Sequence, residues 1–242
     1  MSPASDPATD SSQATESGNA PATGWRPAHG RPTTTLLLRH GQTALSAERR
    51  FAGRGDIPLT DLGLHQASAA ATALAGRAAV DLVLTSPLGR ARQTASVIAE
   101  RTGAPLAVDD DLAETDFGSW EGMSFAEVSE RWPAEMASWL AGADAAPPGG
   151  ESFVAVAARV DAALGRLLEA HQGRTVVVVS HVTPIKTIVC RALLAPTAAL
   201  FRMHLDVASL TEVAWFADGP ALVRSLNDTA HLRSISAPAA SG

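Results

Sequence analysis

Two short apolar runs, each followed by a histidine, constrain the fold of this chain more than any other feature. The run at 34–39 leads into His40, and the run at 175–179 leads through Ser180 into His181. Runs of five or six residues are typical of strands that are buried on both faces of a parallel sheet. The sequence therefore predicts at least two buried strands in an α/β fold.

The segments between and after these runs alternate in the way that parallel α/β folds require. Strands are expected at 34–39, 81–85, 106–108 and 175–179, and helices at about 60–77, 87–101, 153–171 and 184–194. This alternation indicates helices packed on a parallel sheet. Two further strands, at about 209–216 and 221–226, are joined by Asp218-Gly219-Pro220. So short a turn predicts an antiparallel pair at the sheet edge.

The alternation is interrupted between residues 109 and 150. A loop is expected at 109–122, a helix at about 125–140 and a break at 145–150. An insertion over the strand ends is a natural lid or specificity cap, and we assign it to about 115–150. The predicted fold class is therefore α/β: a three-layer sandwich with a mostly parallel central sheet, an antiparallel edge strand and a helical cap insertion.

Composition limits where the folded domain lies and what it contacts. Residues 1–32 contain no Leu, Ile, Val or Phe, so we expect a disordered tail or linker there, one domain at 33–232 and a second disordered tail at 233–242. The net charge of −6 argues against nucleic-acid and membrane partners. Cys190 is the only cysteine, which fits a reducing compartment. We expect a cytoplasmic protein that is a monomer or a homodimer.

Two arginines and two histidines are expected to meet at one edge of the sheet. Arg39 and His40 end the first strand, His181 follows the strand at 175–179, and Arg90 lies on the first turn of the helix after 81–85. Ligands of open α/β sheets bind beyond the carboxyl ends of the strands. If these strands are neighbours, the four side chains form a receptor for a doubly charged oxyanion. A metal site on the two histidines is the alternative, but the arginines would repel a cation, so no metal is predicted.

Five ordered motifs carry a resemblance to a known family. They are Leu38-Arg39-His40-Gly41-Gln42-Thr43, the segments 55–60, 86–95 and 112–122, and Val179-Ser180-His181. Over about residues 34–226 the chain therefore resembles the histidine phosphatase superfamily, in its phosphoglycerate-mutase-like branch. More narrowly, it is similar to the acid phosphatase domain of actinobacterial bifunctional ribonuclease H/acid phosphatase proteins and to α-ribazole phosphatases.

The resemblance implies a chemical role for the charged residues of these motifs. It implies that His40 is the nucleophile that forms a phosphohistidine, while Arg39, Arg90 and His181 hold the phosphoryl oxygens. It implies that Glu114 protonates the leaving group and then activates water. Because this acid must start protonated, an acid pH optimum is expected. No cofactor is implied.

Three further residues, Gln42, Thr43 and Val182, are candidates for substrate binding. Thr43 is equally suited to capping the turn that follows it. Val182 stands where the family frequently has glycine, and Ser46 stands where it often has asparagine, which leaves one phosphate contact open.

Hydrolysis is the function that these residues favour. The chain is predicted to be a histidine phosphatase, a metal-independent phosphomonoesterase that acts on a small phosphorylated metabolite, of the acid phosphatase or α-ribazole phosphatase type. A cofactor-dependent phosphotransferase of the phosphoglycerate mutase type is the alternative. It needs additional cations, and no basic cluster follows Glu114 until Arg131. A catalytically inactive phosphate-binding interaction module is a third hypothesis.

Overall fold

A computed structural model describes residues 30–77 and 79–235. The predicted tails lie mostly outside this range, which leaves out residues 1–29 and 236–242. The strands of the described part are β1 Thr33–Arg39, β2 Leu82–Thr85, β3 Leu106–Val108, β4 Thr175–Ser180, β5 Leu210–Trp215 and β6 Ala221–Asp228. Its α-helices are α1 Ala44–Ala47, α2 Asp61–Ala75, α3 Gly89–Thr102, α4 Phe125–Arg131, α5 Pro133–Ala141, α6 Phe153–Ala170 and α7 Val182–Ala192.

The six strands form one sheet in the order β3-β2-β4-β1-β5-β6. The first four strands of this order are parallel to one another, whereas β5 runs antiparallel to both β1 and β6. This arrangement confirms the predicted fold class, with its antiparallel pair at the edge. In the centre, Arg39 of β1 pairs with Ser180 of β4, so the two strands end at the same level. The residues that follow them, His40 and His181, are thereby delivered to one place.

Two apolar cores pack the sheet between layers of helices. Alternate residues of β4 point to opposite faces, as strand geometry requires. Val176 and Val178 contact buried residues of α6 and α7 on one face, whereas Val177 and Val179 contact those of α2 and α3 on the other. Burial on both faces explains why this strand is a continuous valine run. None of the helices in residues 30–77 and 79–235 is long and apolar enough to cross a membrane.

Two helix boundaries differ from the sequence prediction because of prolines. The helix expected at 125–140 is two helices, α4 and α5, with Trp132 in a non-helical conformation between them. Pro133 cannot donate a backbone hydrogen bond, so it begins a helix rather than continuing one. The helix expected from Pro184 starts two residues earlier, at Val182. A proline is tolerated in the first turn, and α7 therefore begins directly after His181.

The cap insertion has an aromatic core of its own. Trp120 and Trp139 meet edge to face with ring centroids 5.7 Å apart, and Phe153 of α6 lies 5.0 Å from Trp139. Phe51, from the loop after α1, stacks into the same cluster 4.8 Å from Phe117. These contacts fix the cap on the carboxyl ends of the strands.

Candidate active site

The two histidines that follow β1 and β4 lie side by side. Their ring centroids are 5.1 Å apart, and both rings are buried, with 4% of His40 and 0% of His181 exposed. The backbone N–H of His40 donates to the carbonyl of Ser180 at 3.0 Å, which continues the strand pairing to the site itself. Sheet register therefore holds the two imidazoles together.

The hydrogen bonds of His40 determine which ring nitrogen is free. Its Nδ1 lies 2.7 Å from the carbonyl oxygen of Gly41, which can only accept, so the proton of the neutral ring is on Nδ1. Nε2 is then unprotonated. Burial holds the pKa of His40 well below its ordinary value, and the charges of Arg39 and Arg90 lower it further. The neutral ring with an open Nε2 is the form needed for nucleophilic attack.

His181 has the same tautomer as His40, but its hydrogen bond is made by the other ring nitrogen. Its Nε2 lies 2.7 Å from Ser86 Oγ, which also accepts from the N–H of Leu88 at 3.3 Å. The hydroxyl hydrogen of Ser86 is then free to be donated to Nε2, which leaves the ring proton on Nδ1. Burial lowers the pKa of His181 well below its ordinary value, with His40 and the nearby arginines adding to the effect. Ser86, at the end of β2, is a site residue that sequence reasoning gave no role.

Each arginine uses its terminal nitrogens to bind backbone carbonyls. Arg90, which is 0% exposed, donates through Nη1 to Gly55 at 3.0 Å and through Nη2 to Ala52 at 3.0 Å and Gly53 at 2.7 Å. Arg39 donates through Nη1 to the carbonyl of Leu205 at 2.7 Å. Both guanidinium groups are therefore held in fixed orientations before any ligand arrives.

Three buried nitrogen atoms of these residues have no hydrogen-bond partner in the described part of the chain. They are Arg39 Nε, Arg90 Nε and His181 Nδ1. Buried polar groups are nearly always hydrogen-bonded, and three of the seven unpaired buried side-chain atoms in the described residues belong to residues around His40. A bound oxyanion would supply the acceptors that they lack.

Glu114 is held between its own loop and α7. Its side chain is buried, and Oε1 accepts from the N–H of Thr115 at 2.8 Å and of Thr183 at 3.3 Å. Arg159 of α6 secures the loop from below by donating to the carbonyl oxygens of Ala113 at 2.7 Å and Glu114 at 3.0 Å. It is paired in turn with Glu151 at 3.0 Å. Thr183 and Arg159 hold the carboxyl in place, and the sequence gave neither of them a role.

A cavity of about 250 Å³ opens over these groups. Its polar floor includes Arg39, His40 and Glu114, and Arg90 and His181 are buried beside it. The opposite wall is apolar and consists of Phe51, Phe117, Trp139, Phe153, Leu200 and Phe201. The site therefore combines an anion receptor with an apolar compartment for the rest of a ligand.

The sequence profile described as Histidine phosphatase superfamily (branch 1) matches residues 35–229. The chain belongs to the histidine phosphatase superfamily. The Bifunctional protein Rv2228c of Mycobacterium tuberculosis (strain ATCC 25618 / H37Rv) is 49% identical to it over 219 residues, which are 90% of this chain and 60% of that protein. The chain thus spans about 60% of the length of the curated relatives it matches first.

Solved structures show the same fold. A structure of mycobacterial glucosyl-3-phosphoglycerate phosphatase Rv2419c with VO3 is 33% identical, covers 81% of this chain and 100% of its own, and has a TM-score of 0.74. A putative alpha-ribazole-5'-P phosphatase from Escherichia coli is 29% identical, covers 81% of this chain and 97% of its own, and also has a TM-score of 0.74. Both of these similar structures are of proteins named as phosphatases, and each covers 81% of this chain.

The three further candidates for substrate binding, Gln42, Thr43 and Val182, have different surroundings. Val182 lines the cavity. Thr43 caps α1, because its Oγ1 accepts from the N–H of Ser46 at 3.2 Å. The Gln42 side chain accepts from the Thr60 hydroxyl at 3.0 Å, at the start of α2. Of these three, Val182 alone is among the described residues that form the cavity wall, and Ser46 joins it there.

The described part of the chain contains no cluster of side chains that could bind a metal ion. Within residues 30–77 and 79–235, no group of three or more His, Cys, Asp and Glu side chains is arranged to hold a metal ion. That the reaction proceeds without a metal remains a prediction.

Proposed function

We propose that this protein is a metal-independent phosphomonoesterase that hydrolyses a small phosphorylated metabolite through a phosphohistidine on Nε2 of His40. The observation that carries the proposal is the set of three buried, unpaired donors, Arg39 Nε, Arg90 Nε and His181 Nδ1, around a histidine whose Nε2 is unprotonated. A nucleophile surrounded by donors that lack acceptors is suited to a phosphoryl group.

In the first step, the lone pair of His40 Nε2 forms a bond to phosphorus while the bond from phosphorus to the leaving oxygen breaks. The three free donors bind the equatorial phosphoryl oxygens, over which negative charge is spread in the transition state. Glu114 donates its proton to the leaving oxygen, so that an alcohol departs rather than an alkoxide. The products of this step are the alcohol, the phosphohistidine and ionised Glu114.

In the second step, water hydrolyses the phosphohistidine. Ionised Glu114 takes a proton from water as its oxygen attacks phosphorus, and the bond to Nε2 breaks. This step returns neutral His40 and protonated Glu114 and releases inorganic phosphate. No redox change occurs, and each proton is accounted for by the single carboxyl.

The chemistry supports a mildly acidic optimum and hence the acid phosphatase type. Because the pKa of His40 is held well below its ordinary value, the nucleophile stays neutral as the pH falls below neutrality. The first step also requires protonated Glu114 at its start. The lowered pKa of His40 therefore keeps the nucleophile available on the acid side of neutrality.

The cavity supports a small substrate. Its volume of about 250 Å³ lies just below the ~300–1,000 Å³ range that holds drug-sized ligands. A leaving group with an apolar or ring portion matches the aromatic wall. We include a cytoplasmic location, without nucleic-acid or membrane partners, in the same proposal, which the net charge of −6 and the single cysteine support.

A mutase remains the second candidate because the cavity contains cations that the sequence argument did not anticipate. Arg50 and Lys186 line it in addition to Arg39. A phosphoglycerate mutase needs such cations for the substrate carboxylate. Measuring phosphate release against isomerisation of 3-phosphoglycerate separates the two functions, and isomerisation without release would favour the mutase.

The test of the proposed function is to trap the phosphoenzyme. Wild-type protein is mixed with a chromogenic phosphoester labelled with ³²P, quenched in alkali and analysed for protein-bound label, which is stable to alkali and labile to acid in a phosphohistidine. His40→Ala is expected to lose the label and to lower kcat/KM by about 10³-fold or more. His65→Ala removes an exposed histidine from α2 and is the matched control. Equal turnover by His40→Ala and wild type would refute the proposal, and unlabelled, inactive wild type would favour the binding module.

A further inference from the structure

Lys186 is the only lysine of the chain, and it lies in the active-site cavity. It is on α7, one helical turn after Val182, so that the two residues share a face of the helix. Val182, Thr183 and Lys186 together form the wall that α7 gives to the cavity. The side chain is partly buried. A cation in this place is in reach of whatever fills the cavity.

The cations of the cavity differ in their partners. Arg39 donates to the carbonyl of Leu205, and Arg50 pairs with Glu48 at 2.7 Å and Glu127 at 2.7 Å. Lys186, in contrast, has neither an ion pair nor a hydrogen bond with any residue in the described part of the chain. Among the cavity cations of the described residues, Lys186 is the one without a salt bridge or a hydrogen bond, although its charge interacts with that of Glu114 at longer range.

An unpaired, partly buried ammonium is unfavourable for folding. Burial lowers the pKa of Lys186, while the charge of Glu114 opposes this effect and that of Arg39 adds to it. A hydrophobic side chain of similar length would pack against the neighbouring aromatic wall without the loss of hydration that a charge incurs. A ligand with an anionic group that pairs with the ammonium would explain why a charged side chain occupies this position.

The position of Lys186 assigns that partner to the leaving group. The phosphoryl receptor is at the beginning of α7, next to His181, and Glu114 is held there by the N–H of Thr183. Lys186 lies about one turn, or roughly 5.4 Å, further along the helix axis. Lys186 lines the same cavity and interacts electrostatically with Glu114, the residue that gives its proton to the leaving oxygen in the proposed mechanism, so we place its ammonium on the leaving-group side of the site.

We propose that Lys186 is a specificity-determining residue that binds a carboxylate on the leaving group of the substrate. A carboxylate suits the volume of about 250 Å³ better than a second, larger phosphate does. The inference rests on the proposed function for the phosphoryl end of the site. It adds the substrate class: phosphomonoesters whose leaving group is apolar on one side and bears an anion.

Binding of phosphonates tests Lys186 without requiring turnover. Titration calorimetry on the full chain compares benzylphosphonate with 3- and 4-(phosphonomethyl)benzoate, which differ from it only by the carboxylate. Wild type is expected to bind at least one carboxylated isomer about tenfold more tightly, as a charge-assisted contact provides. Lys186→Met is expected to lose this preference, and Lys186→Arg to keep most of it. Arg191→Met removes an exposed charge from the same helix and should bind as wild type does.

Two results would overturn the inference about Lys186. The first is that wild type shows no preference for either carboxylated phosphonate, and the second is that Lys186→Met retains the same preference as wild type. Each result would mean that the ammonium does not contact the added group, whether or not the protein is a phosphatase.

Rates of hydrolysis of two esters distinguish an effect of Lys186 on substrate specificity from a general effect on the active site. The ratio of kcat/KM for carboxyphenyl phosphate to that for phenyl phosphate is expected to fall about tenfold in Lys186→Met. Equal losses on both esters, with the ratio unchanged, would show that Lys186 acts only through Glu114 and would refute its role in specificity. If wild type hydrolyses neither ester, the proposed function fails while the phosphonate titration still decides the role of Lys186.

Discussion

The two buried histidines should make the folded protein lose stability steeply as the pH falls. A histidine in the unfolded chain takes up a proton near pH 6.5, whereas burial keeps His40 and His181 neutral in the native state, with the pKa of each well below that value. The unfolded state therefore binds more protons below pH 6.5, and the free energy of unfolding rises with pH there. Stability that is present at pH 7 is lost as the pH falls through the pKa of the unfolded histidines.

The size of the loss in stability can be worked out from the pKa of a histidine in the unfolded chain. For a histidine that stays neutral in the native state down to pH 5, protonation of the unfolded chain between pH 7 and pH 5 costs about 2 kcal/mol of stability. Two such histidines together cost about 4 kcal/mol over this interval. That loss is a large fraction of the ~5–15 kcal/mol by which domains are stable.

Urea unfolding at pH 7, 6 and 5 measures this dependence. His40→Gln keeps a neutral polar side chain and is expected to reduce the pH-dependent loss by about 2 kcal/mol, because only His181 then remains to be protonated on unfolding. His65→Gln, which changes an exposed histidine, should leave the dependence unchanged. Parallel curves for wild type and His40→Gln would refute the conclusion that His40 is buried in its neutral form.

Three further changes test individual contacts of the site. Glu114→Gln should lower kcat/KM for alkyl phosphates by about 10²–10⁴-fold. The loss for nitrophenyl phosphate should be much smaller, since a good leaving group needs no proton. Equal losses on both esters would contradict general-acid catalysis. Ser86→Ala should lower kcat about tenfold with little change in KM, because the proton of His181 is no longer directed to Nδ1. The control Ser96→Ala, on the exposed face of α3, should have no effect. Arg90→Met should cost about 3 kcal/mol in urea unfolding, because three carbonyl oxygens lose their donor, and unchanged stability would contradict the described anchoring.

The fold was predictable because its main determinants are local. Valine-rich β4 can only be a buried strand, and an apolar run of the same length before Arg39 indicates its counterpart. Pro133 was visible as a helix breaker, yet the apolar pattern on both sides of it suggested one continuous helix. Pro133 decides that point, because it cannot donate the hydrogen bond that would continue α4 and instead begins α5.

The site was predictable where it depends on strand ends and unpredictable where it depends on side-chain conformation. Convergence of His40 and His181 follows from the register of β1 and β4. Lys186 could have been found, because it lies five positions after His181 and one helical turn brings it to the same cavity as Val182. Arg159 donates to the backbone carbonyl of Glu114, and the backbone N–H of Thr183 donates to the Glu114 side chain. No pattern of residues in a sequence predicts such contacts.

Pairing of β1 with β4 has a consequence for how activity arises during biosynthesis. The bond from the His40 N–H to the Ser180 carbonyl joins parts of the chain that are separated by two strands, β2 and β3, and the helices that connect them. Closing so large a loop is slow, and the second strand leaves the ribosome long after the first. A nascent chain that ends before β4 carries the nucleophile without its neighbour, so phosphatase activity appears only when the central sheet is complete. Recovery of turnover in a refolding experiment thus reports the joining of the two halves of the sheet.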